Sequence, residues 1–88
     1  MNWCDRKYYL PKNEYANCLI KVVSYNKVHF AIGWVDLKHS GFVCGGDSTY
    51  EGCEQFIPFT GPQYNGNTVI EIDYVYWVYL DDIDNFLK

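Results

Sequence analysis

The amino-acid sequence predicts a mainly β fold: a small antiparallel sheet or partly open barrel of about five strands, followed by a short C-terminal helical turn. Two apolar runs rich in β-branched residues stand side by side between residues 17 and 37. A third run, YVYWVYL from Tyr74 to Leu80, also favours a strand. Glycine and proline divide the sequence between these runs into short pieces. Because a chain of 88 residues buries only one small core, residues 1–88 are expected to form a single domain.

The first two predicted strands form a hairpin. NCLIKVVSY (Asn17 to Tyr25) and KVHFAIGWVDL (Lys27 to Leu37) are separated by Asn26, a residue that suits turn geometry. Cys18 lies in an apolar run and is expected in the core, and Gly33 marks a bulge or a close approach of two backbones. The period of two is clearest in the second strand. One face would carry Val28, Phe30, Ile32 and Trp34, and the other face would carry His29, Ala31, Gly33 and Val35.

The second half of the chain predicts shorter elements. Residues 41–44 form a strand before a glycine-rich loop, and residues 56–67 form a loop or an interrupted edge strand because they hold two prolines and an Asn-Gly pair. The longest candidate runs from Thr68 to Leu80. It exceeds the usual strand length of about 5–6 residues, so a bend or bulge is expected near Asp73.

Within this last strand, Trp77 is expected to build the core, whereas Tyr74 and Tyr76 face outward. The residues expected to join Trp77 are Ile70, Ile72 and Val75. The tail DDIDNFLK predicts a helical turn capped by Asp81 or Asp82. Its apolar side would carry Ile83, Phe86 and Leu87.

Charge is unevenly distributed along the chain. Residues 1–44 hold six basic and three acidic side chains, a net charge of +3, and residues 45–88 hold one basic and eight acidic side chains, a net charge of −7; together they give −4. An acidic domain with no basic cluster is poorly suited to neutralising phosphates, so direct binding of nucleic acid is not expected. The acidic half instead favours a partner with a basic surface.

The sequence predicts a cytoplasmic protein. The opening stretch MNWCDRKYYL lacks the apolar core of a signal peptide, and no run approaches the about 20 apolar residues that cross a bilayer. No membrane association is therefore expected. The four cysteines, Cys4, Cys18, Cys44 and Cys53, are expected to be reduced thiols.

Neither a metal site nor a catalytic site is expected. His39, Cys44, Asp47 and Cys53 lie within fifteen residues, but eight residues separate the two cysteines, too many for the tight pairs of zinc fingers. A nucleophilic Cys44 would need an oriented base, and neither histidine is placed for that role. Glu71 and Asp73 have the spacing of a glycosidase pair but are expected on a solvated strand face. We therefore expect no cofactor and no enzymatic activity.

The ends of the chain resemble a known family. Trp3 followed by Asp5-Arg6, the pair Leu10-Pro11, the strand CLIKVV and the closing VYWVYL around Trp77 are similar to the phage and prophage domain-of-unknown-function family 551. The chain departs from the family where Asp81 follows Leu80 in place of Pro-Leu-Pro, and its glycine-rich middle has no counterpart. The resemblance implies a small β-rich fold and a phage or mobile-element origin, with no activity attached.

The leading functional hypothesis is a non-catalytic phage protein that inhibits a host protein with a basic surface, such as a defence effector, as anti-CRISPR proteins do. The predicted partner-binding residues are Glu71, Asp73, Tyr74, Tyr76, Asp81 and Asp82. A second predicted contact, on the glycine-rich loop, comprises Asp47, Tyr50 and Glu51. Two alternatives stay open: a protein that sequesters a nucleotide signal through stacked aromatic rings, and a structural accessory protein that forms homo-oligomers.

Overall fold

Within the residues that the structure describes, the chain forms one antiparallel sheet of six strands, a separate two-stranded hairpin and one short helix. The computed structural model describes residues 2–44, 55–65 and 68–87. In chain order the elements are β1 (Cys4–Asp5), β2 (Asn17–Ser24), β3 (Lys27–Asp36), β4 (Gly41–Cys44), β5 (Gln55–Pro58), β6 (Gln63–Asn65), β7 (Thr68–Ile70), β8 (Tyr74–Tyr79) and α1 (Leu80–Leu87). The large sheet has the order β1-β8-β2-β3-β4-β5 and is not closed, and β6 pairs with β7. The predicted fold class is confirmed.

The β2–β3 hairpin is the longest pairing in the sheet, running from Asn17↔Trp34 to Ser24↔Lys27. Its turn has two central residues, Tyr25 and Asn26, and both have positive φ angles, 51° and 64°. This pair of angles is typical of a type I′ turn, whose twist matches that of the two strands. The prediction that Asn26 alone connects the strands was therefore short by one residue.

The core lies on one side of the large sheet, which we call the inner face. Its fully buried side chains include Cys18 and Ile20 of β2, Val35 of β3, Phe42 of β4 and Val75 of β8. Trp77 is 4% exposed, and its ring lies 6.3 Å from that of Phe42. Strands β2 and β3 lie between β8 and β4 in the sheet. Because the rings of Trp77 and Phe42 are nevertheless close, the inner face is concave.

Arg6 joins the two ends of the open sheet. Its guanidinium donates hydrogen bonds to the carbonyl oxygens of Pro58, at 2.8 Å, and Gly61, at 3.0 Å. Arg6 follows β1 and Pro58 ends β5, the two edge strands of the sheet. Burial lowers the pKa of the Arg6 guanidinium below its usual value, and the neighbouring Asp5 offsets only part of this shift. A guanidinium nevertheless stays charged at neutral pH. A buried cation thus holds the two edges together.

Gly33 is required by a close approach of β3 and β4. A Cβ atom at this position would lie 2.7 Å from the carbonyl oxygen of Val43 and 2.8 Å from Sγ of Cys44. The pairing of Gly33 with Cys18 on one side and Cys44 on the other is in regular register. The close approach expected from the sequence is therefore present, and a bulge is not needed to explain this glycine.

The predicted strand from Thr68 to Leu80 is wrong as one element. It divides into β7 and β8, which belong to different sheets, and residues 71–73 connect them. A break near Asp73 was expected. Asp73 lies outside the strands, and its backbone N–H donates a hydrogen bond to the carbonyl oxygen of Val23 at 2.9 Å. Glu71 and Asp73 therefore lie on a connection rather than on a strand face.

The C-terminal helix begins earlier than predicted. It starts at Leu80, so Asp81 and Asp82 lie inside its first turn instead of capping it. Carboxylates in this turn still stabilise the helix, because the free N–H groups and the positive end of the helix dipole are there. In the described part of the chain, no helix has the length and apolar character needed to cross a membrane.

Candidate binding surface

The side of the sheet opposite the core forms a second surface, the outer face, on the neighbouring strands β8, β2 and β3. Strand alternation places there the residues that pair in register across these strands. The outer face comprises Leu19, Lys21, Val23, Val28, Phe30, Ile32, Tyr74 and Tyr76. Seven of these eight side chains are apolar or aromatic, so the surface has the composition of a core but lies on the outside.

The middle of the outer face is open to solvent. Phe30 is 61% exposed and Ile32 is 60% exposed, and Val28 and Tyr74 are also exposed. At the far end of the strands the same side of the sheet is covered, since Val78 is buried and Trp34 packs against Tyr15, with ring centroids 5.6 Å apart. The exposed section therefore extends toward the β2–β3 turn.

The alternation of Val28, Phe30 and Ile32 is visible in the sequence, but it does not show that these side chains lie at a surface. Large apolar side chains in alternation usually mark the buried side of a strand. The opposite side of β3 carries Ala31 and Gly33, whose small size indicates that this side packs closely against the core. A strand that is apolar on both sides needs cover on both, and in the described part of the chain the outer side of β3 from Val28 to Ile32 is left exposed.

Two lysines lie over aromatic rings along the outer face. The Nζ of Lys21 is 5.9 Å from the ring centre of Trp3 and 5.6 Å from that of Tyr76, and Trp3 also lies 6.4 Å from Phe30. These distances are within the range of cation–π attraction. The aromatic part of the predicted partner surface therefore has one cation, Lys21, at its centre and no carboxylate there among the described residues.

A second stack lies at the margin of the same face. The rings of Tyr74 and Tyr76 are 6.2 Å apart and nearly parallel, and the Nζ of Lys7 lies 5.3 Å from the Tyr74 ring centre. The backbone N–H of Lys7 donates to Oδ1 of Asp5 at 2.9 Å. Asp5 is also paired in register with Tyr76, so one carboxylate lies beside this margin.

The predicted acidic residues form two groups rather than one surface. Glu71 and Asp73 are exposed beside the end of β2, where the hydroxyl of Ser24 donates to the Glu71 carbonyl oxygen. Asp81 and Asp82 are exposed beyond the other end of β8. The length of β8 separates the groups by roughly 20 Å. The structure thus brings Glu71 and Asp73 close to the tyrosines of β8 but not to the other two acids.

The second predicted contact lies outside the described residues. Asp47, Tyr50 and Glu51 all belong to the segment between β4 and β5 that the structure does not describe. Cys53 of the candidate metal group is in the same segment. Among the described residues, no group of three or more His, Cys, Asp or Glu side chains is arranged to hold a metal ion.

Cys44 is not placed to act as a nucleophile. Its side chain is buried, and burial raises the pKa of its thiol to about 11. The Nδ1 of His39 lies 2.7 Å from Oδ2 of Asp36. Partial burial raises the pKa of Asp36, but hydrogen bonds from His39 and the Lys38 backbone outweigh it and leave that pKa below its usual value. His39 thus pairs with a carboxylate, and the Cys44 thiol stays protonated at neutral pH.

The other described cysteines are also protonated thiols. Burial, with the neighbouring Cys44 and Cys4, raises the pKa of Cys18 to about 12. Burial and the nearby Asp82 carboxylate raise the pKa of Cys4. Cys4, Cys18 and Cys44 are free. These thiols belong to the core and its edge rather than to a reactive centre.

Comparison with family models, with curated proteins and with solved structures finds no match to this chain. Its class is therefore defined by its own fold and surface: an open antiparallel β domain whose outer sheet face carries exposed aliphatic and aromatic side chains.

Proposed function

We propose that this chain is a non-catalytic binding protein that attaches to a protein partner through its outer face. The observation that carries this proposal is the set of exposed side chains Val28, Phe30, Ile32 and Tyr74 on one side of the sheet. Apolar patches of roughly a few hundred Å² also occur on monomers, where the largest patch is often a functional site. Exposed aromatic side chains add area that is lost from water at little entropic cost.

The two acidic groups make this surface favour partners that carry basic groups. Glu71 and Asp73 lie at one end of β8, and Asp81 and Asp82 lie at the other, so a partner with basic groups at its periphery is attracted at both ends. Such peripheral charges mainly raise the association rate. In the phage setting that the resemblance implies, the partner is a host protein, and covering its basic surface inhibits it.

The test uses matched variants of the apolar surface. Phe30→Ser and Ile32→Ser remove exposed apolar area without touching the core, whereas Val69→Ser removes an exposed apolar side chain from β7, outside the large sheet. Proteins captured from host lysate by the wild type should be lost with the first two variants and kept with the third. Capture that Phe30→Ser and Ile32→Ser leave unchanged would refute the proposal.

The acidic groups are tested by kinetics on the captured partner. Charge reversal with Glu71→Lys and Asp73→Lys should slow association more than it accelerates dissociation. The difference should shrink as salt rises, because the Debye length at 0.15 M is about 8 Å. An unchanged association rate at low salt would show that these carboxylates take no part.

A second candidate function is supported by the lysines that lie over the rings of Trp3, Tyr76 and Tyr74. Aromatic faces stack on nucleobases, and ammonium groups pair with phosphate. A protein that sequesters a nucleotide should release that nucleotide on heat denaturation, where mass spectrometry detects it. Release of a stoichiometric nucleotide, together with capture of no protein, would replace the first proposal by the second.

A further inference from the structure

Lys21 occupies the centre of the outer face. It pairs in register with Phe30 on one side and with Tyr76 on the other, and Trp3 lies over the same position. Its side chain is half-buried by these rings. Among the described residues, no carboxylate lies within ion-pair distance of its ammonium group. The described residues therefore surround this cation with apolar side chains and rings, and the nearest carboxylate on this side of the sheet, Asp5, is separated from it by Tyr76.

The surroundings of Lys21 favour an acidic side chain of a partner over a basic one. The ring faces attract the ammonium group only weakly, by about 0.5–1 kcal/mol at exposed sites. A carboxylate delivered by a partner would pair with Lys21 where the surrounding rings exclude water, and the ion pair is stronger there than at an open surface. A basic side chain at the same point would be repelled. The basic groups that suit Glu71 and Asp73 must therefore lie at the partner's periphery, with an acidic group at its centre.

The size of the exposed section favours a short segment over a second copy of this chain. Three strands about 4.8 Å apart, each exposing about five residues of length, cover roughly 250 Å². A stable dimer buries about 800 Å² on each side. A two-fold axis through the centre of this section would also place Lys21 against Lys21, which is repulsive.

Nucleic acid suits the same section less well than a peptide does. Tight binding of a strand requires several cations along its phosphates. The outer face has Lys21 at its centre and Lys7 at its margin, where Asp5 stands beside Lys7. A single carboxylate is matched by this charge arrangement, and a run of phosphates is not.

We propose that the outer face binds a short protein segment that places one Asp or Glu over Lys21 and covers Phe30 and Ile32 with apolar side chains. This inference rests on the proposed function and specifies the chemistry of its partner. The carboxylate fixes the position of the segment, and the apolar contacts supply most of the affinity.

The experiment selects binders from a random peptide library displayed on phage, with the immobilised full chain as target. The selected sequences should share one acidic residue flanked by apolar or aromatic residues. A synthetic peptide of the selected sequence should bind about tenfold more weakly when its acidic residue is replaced by the amide, and about tenfold more weakly to Lys21→Met. Methionine keeps the apolar stem of lysine, so the variant removes the charge and leaves the packing.

The double combination makes the test specific. The affinity of the amide peptide for Lys21→Met should be no lower than the affinity measured with either change alone, because both changes remove the same ion pair. Phe30→Ser should abolish binding, and Val69→Ser should leave it unchanged. Circular dichroism of each variant verifies that the fold is retained.

Several results would overturn the inference. Selected peptides without an acidic residue, equal affinity for wild type and Lys21→Met, or no peptide enriched over the Phe30→Ser target would each do so. A dimer in sedimentation that Phe30→Ser dissociates would assign the face to a second copy, and oligothymidine binding that Lys21→Met abolishes would assign it to nucleic acid. If these results coincide with a captured protein that still depends on Phe30 and Ile32, the proposed function stands and only this inference falls.

Discussion

Replacing Trp77 by alanine should bring the domain close to unfolding. Trp77 is buried in the inner face, contacts the rings of Phe42 and Tyr79, and donates a hydrogen bond from Nε1 to the carbonyl oxygen of Tyr9 at 2.8 Å. Truncating a buried tryptophan costs about 3–5 kcal/mol, and the unpaired Tyr9 carbonyl adds about 1 kcal/mol. A domain of this size has a total stability of about 4–13 kcal/mol.

Urea unfolding followed by far-ultraviolet circular dichroism measures this change. Trp77→Ala should lower the free energy of unfolding by about 4–6 kcal/mol or leave the chain unfolded without urea. Trp77→Phe keeps an aromatic ring but loses the hydrogen bond and part of the volume, so it should cost about 1–3 kcal/mol.

Tyr76→Ala is the matched control, since Tyr76 is the neighbouring aromatic residue and lies on the outer face. It should keep the fold and lose clearly less stability than Trp77→Ala. A folded Trp77→Ala together with an unfolded Tyr76→Ala would refute the assignment of the two faces.

Three further predictions concern the scaffold. Gly33→Ala should lower the free energy of unfolding by about 1–3 kcal/mol, because the new methyl group meets Val43 and Cys44; an unchanged urea midpoint would contradict the close approach. Arg6→Met should cost about 2–4 kcal/mol through two lost charge-assisted hydrogen bonds, with Arg6→Lys intermediate in the same measurement. Stability should fall as pH rises above 9.0, the pKa of an unperturbed thiol, and continue falling to about 11–12. The unfolded state releases the protons of Cys18 and Cys44 in this window while the folded state retains them; Cys18→Ala/Cys44→Ala should show a shallower alkaline decline, and an equal decline would contradict the assignment.

Much of the sheet could be predicted from the sequence because β2, β3 and β8 have strong local signals. The β-branched runs, the turn at Asn26 and the alternation around Trp77 are properties of neighbouring residues. The exposed and buried sides of β8 followed from the same alternation: Val75 and Trp77 are buried, Tyr74 is exposed and Tyr76 is half-buried. Cys18 is buried as expected.

The parts that could not be predicted depend on distant partners. Strand β1 is two residues long and exists because Cys4 and Asp5 pair with β8, so it has no periodic signal of its own. The hydrogen bonds of Arg6 join residues more than 50 positions apart in the chain. The β3 part of the outer face was missed for a related reason: alternation shows that a strand has two sides but not which side the rest of the chain will cover.

The predicted partner-binding residues were grouped by their proximity in sequence, which does not include the length of β8. Asp73 and Asp82 are close in sequence, but an extended strand separates them, whereas a helix would have held them much closer. Charge counted along a sequence therefore indicated the sign of the C-terminal half without locating its groups. The cations of the outer face came from the other half of the chain, through Lys7 and Lys21.

The pairing of β1 with β8 has a consequence for the order of folding. The hairpin of β2 and β3 forms from adjacent segments, but β8 must reach β2 before the sheet can continue to β1. The hydrogen bond from Trp77 to Tyr9 spans 68 positions, so it forms only after Trp77 has been synthesised. Contacts of such sequence separation slow folding. During synthesis, β2 therefore has an unpaired edge until β8 is available, and an unpaired strand edge with exposed apolar residues favours aggregation.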